Sequence, residues 1–415
     1  MEQLINEQDG SFGATGESLR RMGQQWVFDW VLSETGRVYH FTDDGRGPLP
    51  RSVKSHAMIS KQLGKIGLRM QRLAREEEER GHGLTALEYY YLAATSFAGA
   101  QHVVFAINDE KRFLHRRSIE CYDAVRRLAP NPIEHIAIEA PVGTVHGNLH
   151  LSPTANPAPC VFYIPGCDMT KEMYPHPLMN HAGMRGFHLF SFDGPGMGES
   201  NVGGTHLTVT NFERAVSAAV DYLSARPEVD SNQIVLYGQG FGSYWGMRAL
   251  AVEPRFRAAA LTGASWVDLR YLMEWDSPRY KRLFAHLMRA SSEAQLDNWV
   301  REMELSELFD RIDCPTLLMS GEYDPRAPLE TLEASFRRLE RTAELWVFAD
   351  RAHLFALRQG HVPEWNGDVH LLATDWLSDR LSDVGWKPGA TRLLEPGGSG
   401  PYGVEPRSLR WYEDL

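Results

Sequence analysis

An apolar run ending in Leu236-Tyr237 leads into Gly238-Gln239-Gly240-Phe241-Gly242-Ser243 and then into a segment of helical spacing. A strand, a glycine-flanked turn and a helix in that order hold the central residue of the turn at positive φ. Its side chain is aimed at a substrate, and the next backbone N–H, here that of Phe241, is set to meet a developing oxyanion. A serine at the centre would be a nucleophile. Gly240 meets the backbone demand and brings no hydroxyl. Downstream, Gly321-Glu322-Tyr323-Asp324 follows the apolar run Thr316–Ser320, and Asp350-Arg351-Ala352-His353 follows Glu344–Phe348. These runs put a carboxylate and an imidazole at two strand ends, where Asp324 can fix the tautomer of His353 and stabilise its imidazolium. With 16 histidines in the chain, His353 alone signifies little; its placement together with Asp324 and the turn carries the inference.

Two further segments belong with these. Ile164-Pro165-Gly166-Cys167-Asp168-Met169-Thr170-Lys171-Glu172 follows an early apolar run and suits an oxyanion loop, with Cys167 as the backbone donor paired with Phe241. Asp193-Gly194-Pro195-Gly196-Met197-Gly198-Glu199-Ser200 reads as a tight structural turn. Ser243 and Cys167 are the substitute nucleophiles to weigh. Ser243 starts a helical turn and should point elsewhere, and Cys167 is better described as a small buried cysteine.

The elements that must position these groups change character along the chain. Residues 1–132 read as a helical N-terminal unit, with apolar helical spacing over Ile59–Ala74, Ala86–Ala106 and Phe113–Leu128, stopped by Pro130 and Pro132. Residues 133–383 alternate in period. Ile133–Glu139 and Thr144–Leu151 flank a hairpin turn. Short apolar runs at Cys160–Ile164, Phe187–Phe192, Ile234–Tyr237, Ala258–Thr262, Thr316–Ser320 and Glu344–Phe348 then alternate with helical segments at Met173–Met184, Asn211–Ala225, Phe241–Val252, Leu329–Arg341 and His370–Leu381. That alternation predicts an α/β fold with a mostly parallel, doubly wound sheet. An aromatic-rich stretch over 266–308 predicts a helical lid insertion. Residues 384–415 read as a tail or an arm.

Composition excludes several functions. A net charge of −11 argues against nucleic-acid and anionic-membrane partners. No apolar run approaches the ~18–20 residues that span a bilayer. The four scattered cysteines lack metal-ligand spacing and fit a reducing cytoplasm, as does a polar N-terminus. The histidines show no H-E-x-x-H pattern and no loop cradles phosphate, so neither a metal nor another cofactor is expected.

These motifs resemble the α/β-hydrolase fold, in which the nucleophile turn, the acid and the histidine follow in this chain order. Within it the chain is similar to the 2,6-dihydroxypseudooxynicotine hydrolase group, the fungal pigment chain-shortening hydrolases and the fermentation–respiration switch proteins. The likeness runs over most of residues 60–382: an N-terminal helical cap, Thr170-Lys171-Glu172, Phe192-Asp193-Gly194-Pro195-Gly196, the turn at Gly240, Ser265-Trp266-Val267-Asp268-Leu269, Asp313-Cys314-Pro315-Thr316, Asp324, His353 and Asp375-Trp376-Leu377. The resemblance implies hydrolysis of a C–C bond next to a ketone, or of an ester or acyl bond. It implies His353 as base, Asp324 as orienter and Glu172 as an auxiliary acid, although a carboxylate at a helix start is also favoured by the macrodipole. It also favours a homodimer.

The departure is Gly240, because loss of the nucleophile from a coupled triad costs on the order of 10⁶ in rate. Three explanations stay open. An engineered serine-to-glycine replacement would trap a substrate. A natural nucleophile-free enzyme would use His353 to activate water or to remove a proton alpha to a carbonyl, which includes lyase, isomerase and cyclase chemistry. A binding protein on the same fold would have no reaction. Tyr89, Tyr90, Trp266 and Trp275 are the candidates to line a pocket between cap and sheet, which would suit a small ketone or ester, aromatic in part.

Overall fold

The computed structural model describes residues 56–394, apart from 154–155, 264–268, 276–277, 323, 325, 327–328, 350, 352, 354–366 and 383. The described part of the N-terminal unit is three helices, α1 (His56–Glu79), α2 (Gly83–His102) and α3 (Asp109–Leu128). Asn108 starts α3 by accepting a 2.9 Å hydrogen bond from Lys111 N. Asp109 and Glu110 in its first turn and Arg126 and Arg127 in its last complement the helix dipole. Helix α2 is rich in alanine and aromatic residues and is buried along much of its surface, with Leu87, Ala94 and Phe97 inside the cluster or wholly buried.

The sheet begins at β1 (Ile133–Ala140), which pairs antiparallel with β2 (Gly143–His150) around the Pro141-Val142 turn. It continues with β3 (Ala158–Ile164), β4 (His188–Asp193), β5 (Val229–Gln239), β6 (Ala259–Thr262), β7 (Thr316–Gly321), β8 (Ala343–Phe348) and β9 (Thr391–Leu394). The order is β1-β2-β4-β3-β5-β6-β7-β8-β9. Strand β2 meets β4 antiparallel, and every neighbour pair from β4 to β9 is parallel. Strands β4, β6, β7 and β8 are buried at every residue, as befits a sheet covered on both faces. Along β3, Cys160, Phe162 and Ile164 enter one core, and Val161 and Tyr163 enter the other.

The first core is covered by α6 (Asn211–Ser224), which follows the short helices α4 (His181–Met184) and α5 (Gly198–Val202), and by α7 (Phe241–Leu250). Helices α8 (Leu269–Trp275), α9 (Pro278–Met288) and α10 (Glu293–Glu302) and then α11 (Leu329–Leu339) pack on the same side. Helix α12 (Gly367–Leu381) covers the other. Lys281 joins α9 to α10, with Nζ at 2.6 Å from Glu293 and 2.7 Å from Asp297.

Two elements differ from the sequence pattern. The helix expected over Met173–Met184 is reduced to α4, because Pro175 and Pro177 block helical geometry ahead of it. Part of the stretch read as a tail, Thr391–Leu394, instead adds a parallel edge strand to β8.

Candidate active site

Strand β3 runs between β4 and β5, so successive connections leave it in opposite directions. Ligands of open α/β sheets bind at such a point, outside the carboxyl ends of the strands. Five chain segments arrive at those ends. After β3 comes Gly166-Cys167, after β5 Gly240, after β6 Gly263, after β7 Asp324 and after β8 His353.

Gly240 sits at φ 55° and ψ −123°, just before α7. Its N–H donates to Thr262 O at 2.7 Å. A Cβ on Gly240 would lie 3.7 Å from His353 Nε2 and 3.8 Å from Gly166 Cα, ordinary contact distances. The turn is held tightly from below. A Cβ on Gly242 would come within 2.0 Å of Ile164 O, so only glycine lets α7 start this close to β3.

His353 Nδ1 is 2.8 Å from Asp324 Oδ2, and both residues are buried. Burial opposes the charge of Asp324. The His353 ring beside it, the hydrogen bond between them and the bond from Arg326 N to Asp324 Oδ1 outweigh that and hold the carboxyl below its usual range. Gly263 supports the ring from the side: a Cβ there would stand 3.1 Å from His353 Cε1 and 3.2 Å from Gly240 Cα.

Gly166 lies against the start of α7, where a Cβ would be 3.8 Å from Phe241 N. The backbone at Cys167 and at Phe241 therefore comes from neighbouring segments. Phe241 N is among the first four amides of α7, which have no partner within the helix. Cys167 Sγ is 3.2 Å from Tyr280 OH on α9. Ser243 is wholly buried, and its hydroxyl contacts Gly240 O at 2.6 Å and Gly263 O at 2.7 Å. It braces the turn instead of facing a ligand.

Glu172 stands in a different company. Its carboxylate pairs with Lys171 Nζ and accepts from Thr170 Oγ1 at 2.6 Å. Lys171 Nζ also lies 3.6 Å from Asp193 Oδ2 and 2.7 Å from Glu199 Oε2. Asp193 accepts the N–H groups of Lys171 at 2.8 Å and Glu199 at 2.9 Å, which ties the loop after β3 to the loop after β4. Burial, helped by the neighbouring Glu172 carboxylate, pushes the Asp193 carboxyl up to about 7 against the pull of Lys171 and of the two backbone N–H donors. Burial likewise opposes charge on Glu172, but the adjacent ammonium holds it below the usual carboxylate range. The described bonds of Glu172 go to Lys171 and Thr170, and those of Asp324 go to His353 and Arg326.

The candidate pocket aromatics also separate. Tyr90 packs in the cluster of the three N-terminal helices and donates to Glu78 Oε2 at 2.9 Å, and Tyr89 packs against that cluster. Trp266 lies outside the described residues, and of Trp275 only the backbone is described. The aromatics from this stretch that pack on Phe241 are Tyr280 and Phe284, with Phe284 4.8 Å and edge-on from Phe241 and stacked at 5.7 Å on Tyr280. Sequence reasoning placed that stretch in the lid but did not single these two out; their spacing of four on one helix face was the available signal. Tyr91, also passed over, is the α2 tyrosine that reaches beyond the N-terminal helices, donating to Met173 O in the loop after β3 at 2.8 Å.

A small cavity adjoins the loop after β3, lined among others by Lys111, Gln101, Cys167, Asp168 and Asn201. Lys111 is buried there with Nζ at 3.0 Å from Gln101 O and 3.1 Å from Val104 O, at the carboxyl end of α2, and burial pushes its ammonium down to about 8.

Strand order, turn and the convergence of loops give the α/β-hydrolase fold. The model of the prolyl oligopeptidase family matches residues 202–381. The chain is 28% identical over 264 residues to 2,6-dihydropseudooxynicotine hydrolase of Paenarthrobacter nicotinovorans, covering 60% of this chain and 67% of that protein. It is 28% identical over 214 residues to alpha/beta hydrolase ucsC of Acremonium sp, covering 46% of this chain but only 43% of the relative. The crystal structure of the 2,6-dihydroxy-pseudo-oxynicotine hydrolase superposes with a TM-score of 0.67 at 22% identity, over 82% of this chain and 92% of that one. At that identity the superposition speaks for the fold, and the relatives matched by sequence are hydrolases.

Proposed function

We propose that the protein is a hydrolase of a small ketone or ester in which His353, oriented by Asp324, activates water without a covalent intermediate. The observation that carries this is the 3.7 Å separation between His353 Nε2 and the Cβ position of Gly240, with Nδ1 committed to Asp324 at 2.8 Å. The nitrogen that would serve a serine hydroxyl is thus directed at the space above Gly240, which is wide enough for a water oxygen or a substrate atom.

His353 Nε2 takes a proton from that water while the oxygen attacks the carbonyl carbon. The carbonyl oxygen becomes an anion facing the amides of Phe241 and Cys167, which gain strength as charge develops. Collapse of the tetrahedral species breaks the bond to the leaving carbon or oxygen. The imidazolium then returns its proton to the leaving group, so water is added across the broken bond. The curated relative named as a pseudooxynicotine hydrolase supports the C–C alternative. The rings of Phe241, Tyr280 and Phe284 support a substrate that is aromatic in part.

The test is turnover of a panel of p-nitrophenyl esters and aryl 1,3-diketones by the unaltered protein, His353→Ala and Asp324→Asn. Each variant should lose about 10²-fold or more, the contribution of a positioned acid–base group. Equal turnover by His353→Ala, or no turnover by the unaltered protein, overturns the assignment.

A further inference from the structure

We propose that His135, His146 and Glu199 form a binding site for a divalent first-row transition cation, with zinc as the simplest occupant. The site is separate from the residues placed in the hydrolytic reaction, and it follows from strand pairing. Ala137 pairs with His146 and His135 with Asn148, so His135 and His146 are diagonal neighbours on one face of the β1–β2 hairpin. Glu199, in the first turn of α5, reaches that face.

The distances suit a metal. His135 Nε2 is 2.9 Å from Glu199 Oε2, and His146 Nδ1 is 3.6 Å from Glu199 Oε1. The ligand atoms of all three residues lie within 4.8 Å of one another. Bonds of ~2.0–2.1 Å to a tetrahedral zinc set neighbouring ligand atoms about 3.3–3.4 Å apart, between the two distances observed. The two rings stack 19° from parallel with centroids 5.4 Å apart, close enough for both to serve one ion. Two imidazoles and a carboxylate are the ligand set of zinc, cobalt, nickel or copper, not of calcium or magnesium.

Two more observations point to a cation. His146 Nδ1 is buried and makes no hydrogen bond, and its separation from Glu199 exceeds hydrogen-bond reach. A metal ion supplies the partner that this nitrogen lacks. In addition, the three carboxylates of Glu172, Asp193 and Glu199 share the single ammonium of Lys171. A divalent ion on the outer side of Glu199 offsets that imbalance. Lys171, at 2.7 Å from Glu199 Oε2, then acts as the outer hydrogen-bond donor that ligating carboxylates usually keep. The side chains of His135 and Glu199 are 30% and 21% exposed, which gives an ion a way in and leaves room for water as a fourth ligand.

Bound there, the ion would clamp the hairpin to α5. Through Asp193, which accepts both Glu199 N and Lys171 N, it would also stiffen the loop after β3.

The test is calorimetric titration of chelator-treated full-length protein with zinc chloride, with magnesium chloride as control. The variants are His135→Ala, at the exposed ligand, and His146→Gln, each checked for folding by near-ultraviolet circular dichroism. The expected result is one zinc per chain, no magnesium, a zinc-dependent rise in Tm, and affinity at least about tenfold weaker in each folded variant. Absence of zinc binding by the unaltered protein, or binding that His135→Ala leaves unchanged, overturns the proposal.

Discussion

His353 Nε2 stands 3.7 Å from the point where residue 240 would carry a Cβ. The imidazole and the turn are therefore in register although the turn has no side chain, and Gly240→Ser would place a hydroxyl within reach of the imidazole. The variant should hydrolyse p-nitrophenyl acetate at least ~10²-fold faster than the unaltered protein, a part of the on-the-order-of-10⁶ advantage a triad nucleophile supplies. It should also form an acyl-enzyme visible as a mass increase. Serine at φ 55° should lower stability by about 1–2 kcal/mol. If neither the rate nor the mass changes, His353 is not aligned with position 240.

Gly263→Ala tests the lateral support of the ring. Its Cβ would press on His353 Cε1 at 3.1 Å and on Gly240 Cα at 3.2 Å, from a residue at φ 78°. A displaced imidazole should cost kcat up to ~10²-fold with little change in KM. An alanine variant that folds and keeps full kcat would show that the ring position is not critical.

Lys171→Met removes the one ammonium among three carboxylates. The lysine side chain is wholly buried, so its loss leaves charge without a partner and should destabilise the protein by about 3–5 kcal/mol in urea unfolding. A loss below about 1 kcal/mol, the worth of an exposed pair, would mean that the cluster is hydrated or protonated.

Acid should weaken the junction between the N-terminal helices and the sheet. His150 is 3.2 Å from Tyr122 OH, and burial pushes its pKa down to about 3; burial also brings His115 down to about 4. Both rings stay neutral in the fold while the unfolded chain takes up protons near the ordinary histidine value of ~6.5. Their contribution is complete above that value and is lost as pH falls toward 4 and then 3. His150→Gln should flatten the fall in unfolding free energy between pH 6.5 and 4. An unchanged slope would remove His150 from the account.

Much of this architecture was legible in the residues. Period and strand-end position located Gly240, Asp324 and His353, because buried parallel strands are short apolar runs and their loops must fall at the sheet's carboxyl edge. The β1–β2 hairpin followed from Pro141-Val142-Gly143 between two alternating runs. What was not legible was contact between distant segments. Nothing local distinguishes Tyr90, bonded to Glu78, from Tyr91, which crosses to Met173. Nor does any spacing announce that Lys171 is shared by Glu172, Asp193 and Glu199, since the pairing arises only once two loops meet. Thr391–Leu394 lies in a proline- and glycine-rich stretch, where four residues are too few for periodicity to register, and the open edge of β8 decides their conformation.

The crowding at Gly242, where one added carbon would strike Ile164 O at 2.0 Å, has a consequence for substitution. Position 242 is closed to any side chain while position 240 has room for one, so a substitution at 240 can change what the turn presents while glycine at 242 keeps the strand-to-helix bend in place. The frame of the bend and the group it presents are thus set by different positions, and the second can be exchanged without rebuilding the first.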